Sequence, residues 1–305
     1  MKRKLKVSAL VLCFTLFAAM ALGSGSSGSD EEKEIKSVDT ADTAEEQAVE
    51  EDEQENSSSG VTIEEQVLYE ENGVKITATG LEDGFMGTEL KLLIENNSSK
   101  NITVQARSAS VNDFMVDTVM SSDVTAGKKA NDSLTFVTTG LKESGIEAIA
   151  KMEFSFHIMD AENWDEIADS DMITVNTSIA SDYVQKVDDS GEVLFDQENM
   201  KIVGKGLSEK DSFWGPGLIL YIENSSDKNI TVQVRDVSVN GFMVSSSMSE
   251  EVAEQKKAMS AVQFFDTDLE ENSITDIKDI ELSFHVFDTK TWDTIYDSDV
   301  IKLSF

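Results

Sequence analysis

The chain has 305 residues, enough for two ordinary domains with additional segments, and its 59 acidic against 25 basic residues give a formal net charge of −34. That balance excludes a nucleic-acid binder, which needs a basic surface to displace counterions from phosphate, and it excludes docking on anionic lipid through a basic face. The single cysteine, Cys13, lies in the N-terminal apolar run, so a chain that loses this run has no thiol for disulfides, thiolate catalysis or cysteine metal sites.

Met1-Lys2-Arg3-Lys4-Leu5-Lys6 is a charged n-region, and Val7 to Leu22 is an apolar stretch short for a membrane span. Residues 1–23 therefore read as a signal peptide, with Ala19-Met20-Ala21 or Ala21-Leu22-Gly23 as the small-residue cleavage site. The leader resembles that of bacterial lipoproteins, in which a Gly/Ser-rich tether follows a lipidated cysteine. Gly23 to Gly28 supplies the tether, but Ser24 stands where the cysteine would be. Export is the expectation, to the cell surface or beyond it and in a Gram-positive bacterium; release and retention through the N-terminal segment both stay open. Residues 24–60 form an acidic linker. Asp30 to Asn56 is dense in Glu and Asp and poor in aromatics, so it buries too little apolar surface to offset the entropy of ordering. It is expected to be disordered, either as a stalk or as a solubilising leader.

The remainder repeats itself. Ile94-Glu95-Asn96 returns as Ile222-Glu223-Asn224, Asn101-Ile102-Thr103-Val104-Gln105 as Asn229-Ile230-Thr231-Val232-Gln233, and Trp164 as Trp292. Each pair is 128 positions apart (94 to 222, 101 to 229, 164 to 292), which divides the chain into a first repeat over 61–178, a join over 179–186 and a second repeat over 187–305. The join lacks a Gly/Pro-rich stretch, so the repeats are expected to sit close together.

Within each repeat the periodicity is that of strands. Asn72-Gly73 reads as a hairpin turn. Leu90, Leu92 and Ile94, like Leu218, Leu220 and Ile222, alternate on one face, while Leu93 and Tyr221 add apolar weight behind them, the pattern of a central strand. Asn96 to Lys100 and Asn224 to Lys228 are turn chemistry. Val111-Asn112-Asp113-Phe114 and Val239-Asn240-Gly241-Phe242 predict two-residue hairpins of type I′, which need positive φ at both central residues. Polar turns over Thr125 to Lys129 and Glu254 to Lys257 feed alternating strands. Single helical turns are predicted near Gly140 to Ile146 and Leu269 to Ile277. Met152, Phe154, Phe156 and Ile158, like Leu282, Phe284 and Val286, line a further strand, and Ile173 to Val175 and Ile301 to Leu303 close each repeat. Short strands joined by short turns predict an all-β chain of two tandem immunoglobulin-like antiparallel β-sandwiches from an internal duplication. The Ile94 to Val104 segment, the Gly127-Lys128-Lys129 turn and the Phe154-Ser155-Phe156-His157 strand resemble the uncharacterised immunoglobulin-like modules of Gram-positive secreted proteins and lipoproteins. That resemblance implies fold and location and little about activity.

Candidate sites follow from residue type. His157 and His285 hold equivalent positions on the face opposite the aromatic one, where packing against neighbours is the expected role and no nucleophile stands at a catalytic spacing. Asp160, Asp165, Asp169 and Asp171 recur as Asp288, Asp293, Asp297 and Asp299. Such oxygen sets can hold Ca²⁺, which takes about 6 to 8 oxygen ligands, although their spacing matches no EF-hand and Asp is also a turn residue; calcium is the one cofactor the sequence suggests. Trp164 and Trp292 follow the Phe-His strand and are expected to pack in the core or at its edge, with stacking on a partner as the alternative. Trp214 sits in Phe213-Trp214-Gly215-Pro216-Gly217, the loop in which the second repeat departs from Phe85-Met86-Gly87-Thr88-Glu89 of the first. It is the first suspect for a binding loop. No nucleophile elbow, P-loop, zincin or dinucleotide motif occurs. Three functional readings stand: non-catalytic binding or adhesion to a cell-envelope component or an extracellular protein, a purely structural spacer, and a calcium-dependent enzyme or accessory.

Overall fold

The computed structural model describes residues 60–208 and 216–305; the expected signal peptide, all but the last residue of the acidic linker, and Trp214 lie outside the described residues. The first half contains β1 (Gln66–Glu71), β2 (Val74–Asp83), β3 (Gly87–Asn96), β4 (Ile102–Val111), β5 (Phe114–Met115), β6 (Thr118–Val119), β7 (Ser121–Val124), β8 (Lys128–Val137), α1 (Thr138–Glu143), β9 (Lys151–Asp160), β10 (Glu166–Asp169) and β11 (Ile173–Asn176). The second half runs β12 (Glu192–Gln197), β13 (Met200–Leu207), β14 (Gly217–Asn224), β15 (Ile230–Val239), β16 (Phe242–Met243), β17 (Ser246–Ser247), β18 (Ser249–Val252), β19 (Lys257–Phe264), α2 (Asp266–Glu271), β20 (Asp279–Asp288), β21 (Thr294–Asp297) and β22 (Ile301–Ser304). The all-β expectation holds.

Local chemistry sets the turns. Asn72 and Gly73 take φ of 54° and 76°, Asn112 and Asp113 49° and 69°, and Asn240 and Gly241 51° and 80°, the left-handed pairs that a type I′ turn requires. Glu198 and Asn199 adopt the same conformation (53° and 59°) where residue type offers a weaker signal. Both helices begin earlier than predicted. Each continues straight from a strand, with Val137 or Phe265 at its N-cap and no side-chain cap bond, so no Ser, Thr, Asp or Asn marks the start.

The strands form three sheets. β1-β2-β3-β8-β6 make the first. The second runs β10-β9-β4-β5-β19-β14-β13-β12, with β11 on β9, β7 on β4 and β17 on β19; β16-β15-β20-β21 make the third, with β18 on β15 and β22 on β20. In the first half, Ile76, Leu90, Leu92 and Ile94 of the first sheet and Val104, Val111, Phe154 and Phe156 of the second are all within 1% of full burial in one cluster. Ile202, Leu220 and Ile222 meet Val232, Val239, Leu282 and Phe284 in the same way in the second half. Apolar residues on alternate positions of facing sheets leave each half no other way to remove them from water.

The middle sheet crosses from one half to the other. Phe114 pairs in parallel with Lys257, and the Lys257 N–H donates to the Asp113 carbonyl at 2.9 Å. Phe114 meets Tyr221 edge-on at 6.4 Å. Val203 and Tyr221 of the second half belong to the first half's core cluster, and Met115 packs on that of the second. Beside them, Lys151 reaches Asp113 at 2.7 Å and Glu153 at 2.9 Å, while Lys256 contacts the same two carboxylates. Burial alone would raise the Asp113 pKa, but the hydrogen bonds and charges of Lys151 and Lys256 outweigh it and hold this carboxyl at about 2. The join is tied down as well: Asn112 Nδ2 donates to Gln185 Oε1 at 3.0 Å, and Gln185 Nε2 to the Gly145 carbonyl at 3.0 Å.

Candidate functional site

The residues singled out in the sequence gather around the β9–β10 hairpin and its counterpart β20–β21. The Asp160 N–H donates to the Asp165 carbonyl at 2.9 Å, and the Trp164 N–H to the Asp160 carbonyl at 2.9 Å. The Asp160 carboxylate accepts from the Glu162 N–H at 3.0 Å and meets Lys100 Nζ at 2.8 Å; the Lys100 contact, helped by the Glu162 N–H, lowers its pKa. Asp288 repeats this geometry, accepting from the N–H groups of Lys290 and Thr291 at 2.9 and 3.0 Å with Lys228 at 3.9 Å. Asp160 and Asp288 are thus loop-forming residues, each with a lysine of the neighbouring turn.

Trp164 and Trp292 end these loops with φ of +63° in both, a backbone conformation rare for a bulky side chain. Neither lies in the core: Trp164 is 66% and Trp292 68% exposed. Trp164 lies in the loop between β9 and β10, and Trp292 in the loop between β20 and β21. Trp292 stacks on Phe287 at 5.3 Å with a 15° interplanar angle, and Phe287 contacts His285 at 5.3 Å. Met159 occupies the Phe287 position in the first half.

The histidines have partners that linear spacing did not reveal. β10 pairs β9 so that Asp169 faces His157, and β21 pairs β20 so that Asp297 faces His285. The Nδ1–Oδ1 distance is 2.5 Å in both, with the histidines buried and the aspartates at the surface. A carboxylate here accepts the Nδ1 proton and leaves Nε2 unprotonated in the neutral ring. The signal existed in the sequence as a His-to-Asp interval of twelve residues occurring twice (157 to 169, 285 to 297).

No three of the eight aspartates bring carboxylate oxygens within 4.8 Å of one another. Asp165 Oδ2 accepts from Asn163 Nδ2, and Asp171 and Asp299 offer main-chain carbonyls to Ser170 and Ser298. Among the described residues, one group of three or more potential ligands has its donor atoms within 4.8 Å of one another: His157, Glu166 and Asp169. Position 294, the counterpart of Glu166, is threonine, and Arg235 Nη1 stands 3.6 Å from Asp297. The halves differ nearby in a second respect. A groove of about 510 Å³ opens in the first half between β1 and the 169–174 segment, lined by Tyr69, Asp169, Asp171 and Met172 among others. In the second half, Phe195 and Tyr296 stand 4.8 Å apart at the positions held by Tyr69 and Ala168.

Among the described residues, no helix is long and apolar enough to cross a membrane. No protein-family model matches the chain, and no curated protein does. Among solved structures, the chain is similar to the YadV chaperone at 10% identity, over 70% of this chain and 92% of that one, with a TM-score of 0.24. It is similar to the Salmonella enterica SafA pilin in complex with the SafB chaperone at 12% identity, over 78% and 98%, with a TM-score of 0.23. At these TM-scores neither likeness bears on function.

Proposed function

We propose that the protein is an exported, non-catalytic binding module of the cell envelope, built as two tandem immunoglobulin-like sandwiches that arose by duplication. The duplication is supported by the shared element order and by the paired Asn, His–Asp and Trp geometries; export is supported by the N-terminal leader. The observation that carries the binding reading is the display of Trp164 and Trp292. Both are large apolar side chains held in a rare backbone conformation and left mostly in water at equivalent turns, Trp292 with one ring face on Phe287. The Phe287–Trp292 stack offers a flat apolar face of the kind on which a sugar ring or an aromatic partner side chain can lie. Substituting both tryptophans by alanine is expected to change stability by less than about 1 kcal/mol, as for other exposed positions, and to abolish binding to cell-wall glycan or to a surface-protein partner. Calorimetric titration of the full chain and the double variant against wall fragments checks this. Equal binding by both proteins would remove the tryptophans from the function, and a large loss of stability would assign them to packing.

One observation favours a second reading, a metal ion in the first half. His157, Glu166 and Asp169 combine an imidazole with two carboxylates, a donor set suited to Zn²⁺ or Mn²⁺ rather than to all-oxygen Ca²⁺. Binding to the folded state alone, at about 100 times the dissociation constant, adds about 2.7 kcal/mol of stability. A rise in melting temperature with Zn²⁺ or Mn²⁺ that disappears in Glu166→Thr, which copies the second half, is the expected result. An unchanged melting temperature would leave the His157–Asp169 pair as a structural hydrogen bond.

A further inference from the structure

The junction between the halves uses parts that the chain possesses twice. On the first half's side, the Asn112-Asp113 hairpin carries Phe114, which is 2% exposed against Tyr221, and Met115, which lies on the second core. The second half carries the equivalent hairpin at Asn240-Gly241, with glycine in place of Asp113, and there Phe242 is 49% and Met243 67% exposed. Two adjacent large apolar residues in water are costly at about 25 cal/mol per Å².

The receiving side is also duplicated. In the second half it is the edge of β19 at Lys257, where Glu223 is the cross-strand partner within the sheet. β8 presents Lys129 opposite Glu95 in the same register. Its other neighbour, β6, pairs with it only at Thr135 and Phe136. Among the described residues, no strand pairs with that edge of β8 from Lys128 to Ala130, the place where β5 joins β19. Lys128 is exposed and holds the position of Lys256, the lysine that contacts Asp113 and Glu153 in the junction. On the free hairpin's side, the Glu153 position is Glu281 and the Lys151 position is Asp279, both acidic. Lys128 of one molecule and Asp279 of another are complementary in charge, with Glu281, which pairs with Lys302 at 2.7 Å in its own chain, beside them.

We propose that the chain associates head to tail with second copies of itself: the Phe242-Met243 hairpin of one copy docks on the Lys128–Ala130 edge of β8 and on Leu93 of the next, repeating between molecules the junction found within one. The two patches differ, so the contact is heterologous, and the assembly grows instead of closing as a two-fold dimer. The receiving face has Leu93, Asn131 and Thr77 where the second half has Tyr221, Met259 and Val203. It is less apolar, and it lacks the tether that raises effective concentration inside the chain. The intermolecular contact is accordingly weaker than the internal one, and the net charge of −34 opposes it until salt screens the repulsion.

The experiment is sedimentation equilibrium of the full chain from about 1 μM to 1 mM in roughly 0.15 M salt. The average mass is expected to keep rising with concentration beyond twice that of the monomer. Phe242→Ser combined with Met243→Ser, and separately Lys128→Glu, are expected to remain monomeric; all three positions are exposed, and an unchanged melting temperature verifies the fold. A mixture of these two variants distinguishes the geometry. The Lys128→Glu chain keeps its hairpin and the Ser/Ser chain keeps its β8 edge, so together they form a dimer that cannot extend. A wild-type monomer at every concentration, association that survives either variant, a mass that saturates at a closed dimer, or a mixture that stays monomeric would each overturn the proposal.

Discussion

Replacing Asn224 by alanine is expected to lower the free energy of unfolding by about 3 kcal/mol, the scale set by losing several hydrogen bonds of one buried amide at once. Asn224 is fully buried. Its Nδ2 donates to the carbonyls of Lys228, Val252 and Ala253 at 2.8 to 3.0 Å, and its Oδ1 accepts from the Ser226 N–H at 3.0 Å and from the Ser226 hydroxyl at 2.6 Å. One side chain thus holds the β14–β15 turn to the end of β18 in the sheet opposite. Alanine removes these bonds together: the Ala253 carbonyl keeps the Lys256 N–H at 3.1 Å and the Lys228 carbonyl the Ser226 hydroxyl at 3.3 Å, while the Val252 carbonyl loses a buried donor. Asn96 makes the corresponding bonds to Lys100, Val124 and Ser98, so Asn96→Ala should behave alike. Urea unfolding checks both: the midpoint falls at unchanged slope. A loss below about 1 kcal/mol would show that the turn holds without the amide.

Glu250→Gln is expected to stabilise the protein above neutral pH and to reduce a pH dependence that the wild type shows between about 4.5 and 7. Burial raises the Glu250 carboxyl from its ordinary value of 4.5; a hydrogen bond from Ser260 opposes the rise, Asp117 of the first half and Glu251 add to it, and the group reaches about 7. The neighbouring Glu251 is also raised by burial, against a hydrogen bond from Ser108 of the first half. The folded state therefore binds protons that the unfolded state has released. Stability is greatest below the unfolded value near 4.5 and declines as pH rises to 7, where the folded group has also ionised. The difference in pKa caps this loss at about 3 kcal/mol, and solvent at the partly exposed side chain reduces it to about 1–2 kcal/mol. Asp113 has the opposite sign. Its folded value of about 2 lies below its ordinary 3.8, so its contribution is complete above 3.8 and fades as pH falls toward 2. Together the two groups make the junction strongest at about pH 4 to 5. Melting temperatures of wild type and Glu250→Gln from pH 5 to 8 check this, and parallel curves would remove Glu250 from the account.

The fold and the candidate site were legible to different depths. The Leu90-Leu92-Ile94 alternation could only be a strand with one face in a core, and Asn112-Asp113 and Asn240-Gly241 could turn the chain because their residues tolerate positive φ. The mixed apolar character at Tyr221 was visible too, but its cause was not: it is buried because Phe114 of the other half lies against it. The aspartates were visible as a repeated set, yet the set divides into loop formers such as Asp160 and histidine partners such as Asp169. Which is which depends on the register of β9 with β10. The histidines were placed on the correct face, while their carboxylate partners twelve residues away became neighbours only through the hairpin.

The sequence by itself determined the class of fold, the strand periodicities, the hairpin turns and the 128-residue recurrence, because each follows from side-chain size, polarity and backbone freedom over a few neighbouring residues. The tertiary structure alone decided that Trp164 and Trp292 stand in solvent, that one hairpin is buried in a junction while its twin is open, and that His157 shares a site with Glu166 and Asp169. Those outcomes depend on which surfaces meet across distances that no local pattern encodes, and equivalent hairpins take opposite environments according to what the rest of the chain places beside them.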